Sequence, residues 1–258
     1  MDYETILLTQ SEGIATITLN RPEVMNALNT QMRAEITDAV KASEKEARVI
    51  VLTGAGKAFC SGQDLGDGGN AAKLDLERTL RDEYVPMLRA IDGCVVPTIA
   101  AVNGPAAGAG ANLALVADVV MASEAAYFVQ AFTRIGLIPD AGGTYKLPRQ
   151  IGLARAMGAS LFADKISARQ AADWGMIYEA VAAADFDTHW RARAAHLASG
   201  PTAAYGHVKT ALKASFENDL EEQLALEARL QGKCGMTHDF KEGVVAFLEK
   251  RPARYEGR

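Results

Sequence analysis

The chain has 258 residues, 49% of them hydrophobic and 23% charged, enough for one substantial core and unlike a disordered or collagen-like chain. Its 27 Lys and Arg against 32 Asp and Glu leave a net charge of -5, which excludes a global basic field for nonspecific nucleic-acid binding. Three cysteines, Cys60, Cys94 and Cys234, form no CxxC pair, so neither a disulfide framework nor a metal cluster is expected.

The N-terminus, MDYETILLTQ, carries acids where a secretory signal needs basic residues, and the most apolar segment, residues 112–122, is interrupted by Asp118. No membrane span is expected, and a cytoplasmic location follows as an expectation. Residues 5–8 and 13–19 are β-rich runs separated by the polar QSEG, which predicts a hairpin ended by Asn20, Arg21 and Pro22. Over 30–47, Met32, Ile36, Ala39 and Val40 recur at helical spacing, which predicts an amphipathic helix with Thr30 as its N-cap. The run VIVL at 49–52, followed by Gly54 and Gly56, predicts a strand covered on both faces. The arrangement returns with a helix over 74–91 and a strand over 95–102. A third strand is predicted over 118–122, after the alanine-rich residues 106–117. Helix then buried strand, repeated, predicts an α/β fold.

Between the first two strands, residues 66–72 (GDGGNAA) read as a loop. Beyond residue 186, helices are predicted over 186–198, 202–215, 220–231 and 240–248. Their stripes (Leu220, Leu224, Leu230; Val244, Phe247, Leu248) are too narrow for a separate core, so they are expected to pack on the α/β part or on another subunit. The chain thus divides into a core, residues 1–185, and a helical C-terminal region, residues 186–258.

Several motifs fail on spacing. Gly54-Ala-Gly56-Lys57 lacks the Walker spacing and is followed by Ala58, and a GxGxxG frame ends on Phe59 or Leu113. The segment from Asp64 lacks oxygen ligands at the third and fifth positions of a calcium loop. The four histidines all lie in the helical C-terminal part, away from the glycine-rich turns, so a Ser-His-Asp triad has little support.

Three segments remain as candidate chemistry. KAFCSGQDL at 57–65 and NGPAAGAGANL at 103–113 both follow buried strands, and the second opens a helix. Free N–H groups at such turns could together hold an oxyanion, while Gly108 and Gly110 could equally be small because a neighbouring backbone passes close by. In the third, IGLIPDAGGT at 135–144, Asp140 sits in an apolar context that could raise its pKa and fit it to carry a proton, or it could simply cap the helix that follows.

These segments, together with NRPEVMNAL at 20–28, occur in an order that resembles the crotonase superfamily of enoyl-CoA hydratases and isomerases, and the resemblance runs from Tyr3 to Arg251. It implies a spiral of ββα units, a C-terminal region that builds trimers or dimers of trimers, and acyl-CoA thioester substrates with no separate cofactor. It also implies an oxyanion hole made by the backbone N–H groups of Gln63 and Ala109. For coenzyme A it implies contacts from Val24, Met25 and Ala27 and from Ser61, Gly62, Asp64 and Leu65, with Phe247 and Lys250 reaching the nucleotide of a neighbouring subunit.

The acyl pocket by the same resemblance includes Gly108, Asn112 and Phe132, and residues 66–81 shape it. Hydratases of the superfamily carry glutamates at the positions of Asn112 and Phe132. Adding water needs one group to activate it and another to handle the α-proton, whereas moving a double bond needs one carboxyl. Asp140 as that single carboxyl resembles the enoyl-CoA isomerases, and FVQAFTRIGLIPD at 128–140 is similar to the ring-1,2-epoxyphenylacetyl-CoA isomerases among them. A hydratase is the enzymatic alternative. A noncatalytic acyl-CoA- or RNA-binding member is another, with the acidic balance against RNA.

Overall fold

The computed structural model describes residues 2–66 and 75–258. A hairpin of β1 (Ile6–Ser11) and β2 (Ile14–Leu19) opens the chain, and α1 (Thr30–Ser43) follows. Thr30 is not the cap expected from the sequence. Asn29 takes that place, its side chain accepting the Met32 N–H at 2.8 Å, so the first turn loses one orphan donor a residue earlier. After β3 (Val49–Gly54) comes an irregular helix: α2 (Leu76–Thr79), a π turn (Leu80–Tyr84) and α3 (Val85–Asp92). Pro86 explains the break, because it offers no N–H to the preceding turn. The predicted loop over 66–72 lies, beyond Gly66, outside the described residues, as does Leu74.

β4 (Thr98–Val102), β5 (Ala106–Ala107) and α4 (Ala109–Val116) form the next unit, and β6 (Val119–Ser123), β7 (Tyr127–Val129), a 3-10 turn (Ala131–Ile135) and α5 (Gly143–Phe162) the one after. The chain then runs through β8 (Ile166–Ser167), α6 (Ala168–Asp173) and β9 (Glu179–Val181). Four helices close it: α7 (Phe186–Ala198), α8 (Thr202–Ala214), α9 (Leu220–Gly235) and α10 (His238–Glu249).

The strands make two sheets. The larger has the order β1-β2-β3-β4-β6-β9, parallel except for the first pair. Alternate residues face two covered sides, as a buried parallel sheet requires: Ile50, Leu52, Ala100 and Val102 join the main core, while Val49, Val51, Ile99 and Ala101 pack under Phe186 and Trp190 of α7. The smaller sheet is β5-β7-β8, prolonged by single parallel bridges from Ala106 to Cys60 and from Gln63 to Leu28. Each of β3, β4 and β6 is therefore followed by a short extended piece in the second layer and then by a helix. This is the mixed α/β spiral of ββα units that the sequence led one to expect, with a helical C-terminal region.

Candidate active site

The second layer carries the two glycine turns. Leu28 donates its N–H to the Gly62 carbonyl at 2.8 Å and accepts the Asp64 N–H at 3.1 Å, which is the pattern of a parallel bridge centred on Gln63. The N–H of Gln63 itself therefore points the other way, toward the turn entering α4. Gly62 marks how close that turn comes, because a Cβ there would lie 2.8 Å from the Ala107 carbonyl oxygen and 3.4 Å from the Ala109 nitrogen. Ala109 is the first residue of α4, so its N–H has no acceptor within the helix. The two N–H groups sit side by side at a helix N-terminus, an arrangement suited to a developing negative charge on oxygen.

The two glycines of the α4 turn have different reasons. Gly108 adopts φ +52° and ψ −126°, a region closed to side-chain-bearing residues, and so turns the chain into α4. Gly110 is a packing glycine: a Cβ there would sit 2.4 Å from the Cys60 carbonyl oxygen. Close approach and N–H presentation thus share one turn.

A cavity of about 280 Å3 opens on these donors. Leu65, Leu76, Leu80, Tyr84, Phe132 and Leu137 give it apolar walls, and Asp140 is the only carboxyl among its described lining residues. Asp140 is not the cap of α5. Gly142 occupies that position with no side-chain cap, and Ala141 and Gly142 take consecutive left-handed conformations (φ 47° and 83°) that carry the chain past Asp140 into the helix. The carboxyl is left with a buried Oδ1 that has no hydrogen-bond partner among the described residues. Burial pushes its pKa from the ordinary 3.8 up to about 6, with the residue's own backbone N–H pulling weakly the other way.

Behind Asp140 lies a neutral amide pair. Asn112, expected as a pocket residue, does not line the cavity. It is buried, its Nδ2 donating to the Asp140 carbonyl at 2.7 Å and its Oδ1 accepting from Gln130 Nε2 at 2.9 Å. Phe132 and Gly108 do line the cavity, with the Phe132 ring tip 3.8 Å from where a Gly108 Cβ would stand.

The structure also brings together most residues expected at coenzyme A. Residues 24–27 and 61–65 are stitched to one another: the Ser61 N–H donates to the Met25 carbonyl, Ser61 Oγ to the Val24 carbonyl, and Arg21 bonds both the Ala27 carbonyl and Asp64. Val24, Met25 and Leu65 are exposed, and Ala27 and Gly62 are buried. Phe247 and Lys250 stand apart on α10. Phe247 is exposed beside a different cavity with Cys234, Val244 and Tyr255, and Lys250 ends the helix with φ 55°.

Sequence reasoning missed Arg33, Tyr84, Gln130 and Arg134. The first three are buried polar residues joined to the site through contacts remote in sequence, and Arg134 lines the cavity. Only Tyr84 left a trace, since Pro86 within a helical pattern signals an irregular turn just before it.

Comparison with known proteins agrees with this geometry. Residues 9–258 match the family described as "Enoyl-CoA hydratase/isomerase". A Rhodobacter capsulatus protein named "Probable enoyl-CoA hydratase" is 64% identical over the whole of both chains. An Escherichia coli protein named "1,2-epoxyphenylacetyl-CoA isomerase" is 43% identical over 99% of each. Among solved structures, an enoyl-CoA hydratase subunit from Geobacillus kaustophilus superposes with a TM-score of 0.93 at 35% identity over the whole of both chains. A Streptomyces coelicolor protein named "putative enoyl-CoA hydratase" does so with a TM-score of 0.93 at 35% identity over all of this chain and 96% of that one.

Proposed function

Because the chain belongs to the enoyl-CoA hydratase/isomerase family, we propose that it is an acyl-CoA isomerase in which Asp140 is the single proton carrier. The observation that carries this reading is a largely buried carboxyl with a raised pKa, the only one among the described lining residues of a mainly apolar cavity; the family resemblance adds that Asn112 and Phe132 stand where the hydratases carry glutamates. The thioester oxygen accepts from the Gln63 and Ala109 N–H groups. With a 3-enoyl thioester, the Asp140 carboxylate removes a proton from the α-carbon and negative charge moves onto that oxygen. The carboxyl then returns the proton to the γ-carbon, and the double bond ends between the α- and β-carbons. No water enters the balance, so dry walls such as Phe132 and Leu137 favour the outcome.

The finer reading is a ring-1,2-epoxyphenylacetyl-CoA substrate that expands to an oxepin. Its support is the 43% identical isomerase and an apolar cavity able to hold a ring. Coenzyme A runs along Val24, Met25 and Ala27 and residues 61–65, and a neighbouring copy supplies Phe247 and Lys250. Hydration is the second reading, favoured by the hydratase name of the 64% identical relative. One spectroscopic assay of a 3-enoyl-CoA separates them. Double-bond migration with no 3-hydroxyacyl product, lost by at least about a hundredfold in Asp140→Asn, is the expected result. Brisk hydration of crotonyl-CoA would favour the alternative.

A further inference from the structure

We infer that Arg33 and Tyr84 are positioning residues that hold the oxyanion turn in place through the side chain of Gln63. The inference rests on the oxyanion reading above and concerns the part of Gln63 that the reading does not use.

Gln63 has two functional ends. Its backbone N–H faces the acyl cavity, while its side-chain Oε1 is gripped by two donors: the Tyr84 hydroxyl at 2.6 Å and Arg33 Nη1 at 3.0 Å. Its Nε2 donates to the Asp64 carbonyl at 3.2 Å, which ties the amide back to its own turn. Arg33 also donates from Nη1 to the Leu28 carbonyl at 2.6 Å. That carbonyl is the one accepting the Asp64 N–H, so a single guanidinium binds both strands of the bridge that aims the Gln63 N–H.

The guanidinium is itself fixed. Glu83 pairs with it at 2.5 Å, and its carbon stands 4.8 Å from the centre of the Tyr84 ring. Both Arg33 and Tyr84 are essentially buried. Glu83 and Tyr84 are adjacent residues of the π turn, and both meet the Arg33 guanidinium. Burial raises the Tyr84 pKa well above the tyrosine range, against the pull of Arg33, so its hydroxyl remains a donor to Gln63 at every working pH. A short stretch of π turn therefore sets the position of one of two donors on which a transition-state charge depends. A donor displaced by a fraction of an ångström loses much of its effect on rate while ground-state binding changes little.

The test compares wild type, Tyr84→Phe, Gln63→Met and the double variant. Gln63→Met keeps the backbone N–H and removes the side-chain carbonyl. Each is assayed for kcat and KM, for melting temperature, and for the near-ultraviolet absorbance of bound acetoacetyl-CoA, whose enolate reports the oxyanion donors directly. Wild type should shift bound acetoacetyl-CoA toward its enolate. Tyr84→Phe should lower kcat roughly tenfold, move KM by less than about twofold and reduce the enolate signal. In the Gln63→Met background the same substitution should do nothing further, because both act through one contact. Unchanged kcat and enolate signal in Tyr84→Phe, full additivity in the double variant, or a loss that only follows a lowered melting temperature would overturn the inference. An absent enolate signal in wild type would instead overturn the oxyanion reading beneath it.

Discussion

Asp140 concentrates the chemistry at the scale of single residues. Its carboxyl lies beside apolar walls with one buried oxygen lacking a partner among the described residues, and the resulting pKa near 6 is close to the working range of a general base. Isomerisation should therefore fall as pH drops through about 6 and level off above it, read as kcat/KM against pH. The same shift has a cost in stability. Between 3.8 and about 6 the folded protein holds this proton while the unfolded chain has released it, so its contribution to stability is present below 3.8 and is lost as pH rises through 6. Asp140→Asn should accordingly be more stable than wild type at pH 7.5 by about 1–2 kcal/mol, with the gain shrinking toward pH 4 in thermal melts. A wild type that melts higher than the variant at pH 7.5 would contradict this. The two glycine turns were legible in the sequence as short motifs after buried strands and Asp140 as a lone acid in an apolar segment, while Gln63 and Ala109 were singled out within those turns by the family resemblance. The partners of Gln63 and Asn112 were not, since Arg33 and Gln130 look like ordinary helix and loop residues until the fold brings them across 30 and 18 positions.

Among the elements, α4 is the most constrained. Its eight residues are all buried, Gly108 starts it in a conformation closed to other residues, and Gly110 lies against the Cys60 carbonyl. Gly110→Ala should force the Gln63 and Ala109 turns apart. We expect a destabilisation of about 1–3 kcal/mol in denaturant titrations together with a fall in kcat larger than the change in KM. Retention of full activity would mean that the spacing of the two turns does not set the rate. Long apolar strands were readable as continuous apolar runs bounded by glycines, and the C-terminal helices from their alanine-rich, charged stretches between helix breakers. β5, β7 and β8 are two or three residues long and carry no period, and α5 contains Pro148 and a non-helical Gly152, which disguise it. Asn29 rather than Thr30 caps α1 because either residue type can cap and only the backbone at Asn29, φ −90° and ψ 173°, is extended.

Across the whole molecule, two layers of strand bring the turns that carry Gln63, Ala109 and Asp140, 46 and 31 residues apart along the chain, to one cavity. The outer helices are fastened by half-buried charge. Lys209 bonds Asp118 at 2.6 Å and the carbonyls of Cys94 and Val96, and Arg48 reaches Thr202 and the carbonyls of Gly200 and Tyr255. Even so, Leu153, Leu161 and Phe162 on α5, Leu212 on α8 and Phe247 and Leu248 on α10 remain exposed. Surfaces of this kind are seldom left bare, so light scattering should give a mass that is a multiple of 27.5 kDa. A monomer at micromolar concentration would leave those faces, and Phe247 and Lys250 with them, without the role proposed.

The proposed isomerisation turns on a proton that leaves one carbon and returns to another on a single carboxyl. The most direct measurement is turnover, in ordinary water, of a 3-enoyl-CoA deuterated at the α-carbon, with the product read by NMR. Deuterium recovered in part on the γ-carbon, without 3-hydroxyacyl product and with no turnover in Asp140→Asn, is what the site predicts. Turnover that delivers only solvent hydrogen to the γ-carbon, or that adds water across the double bond, would contradict it.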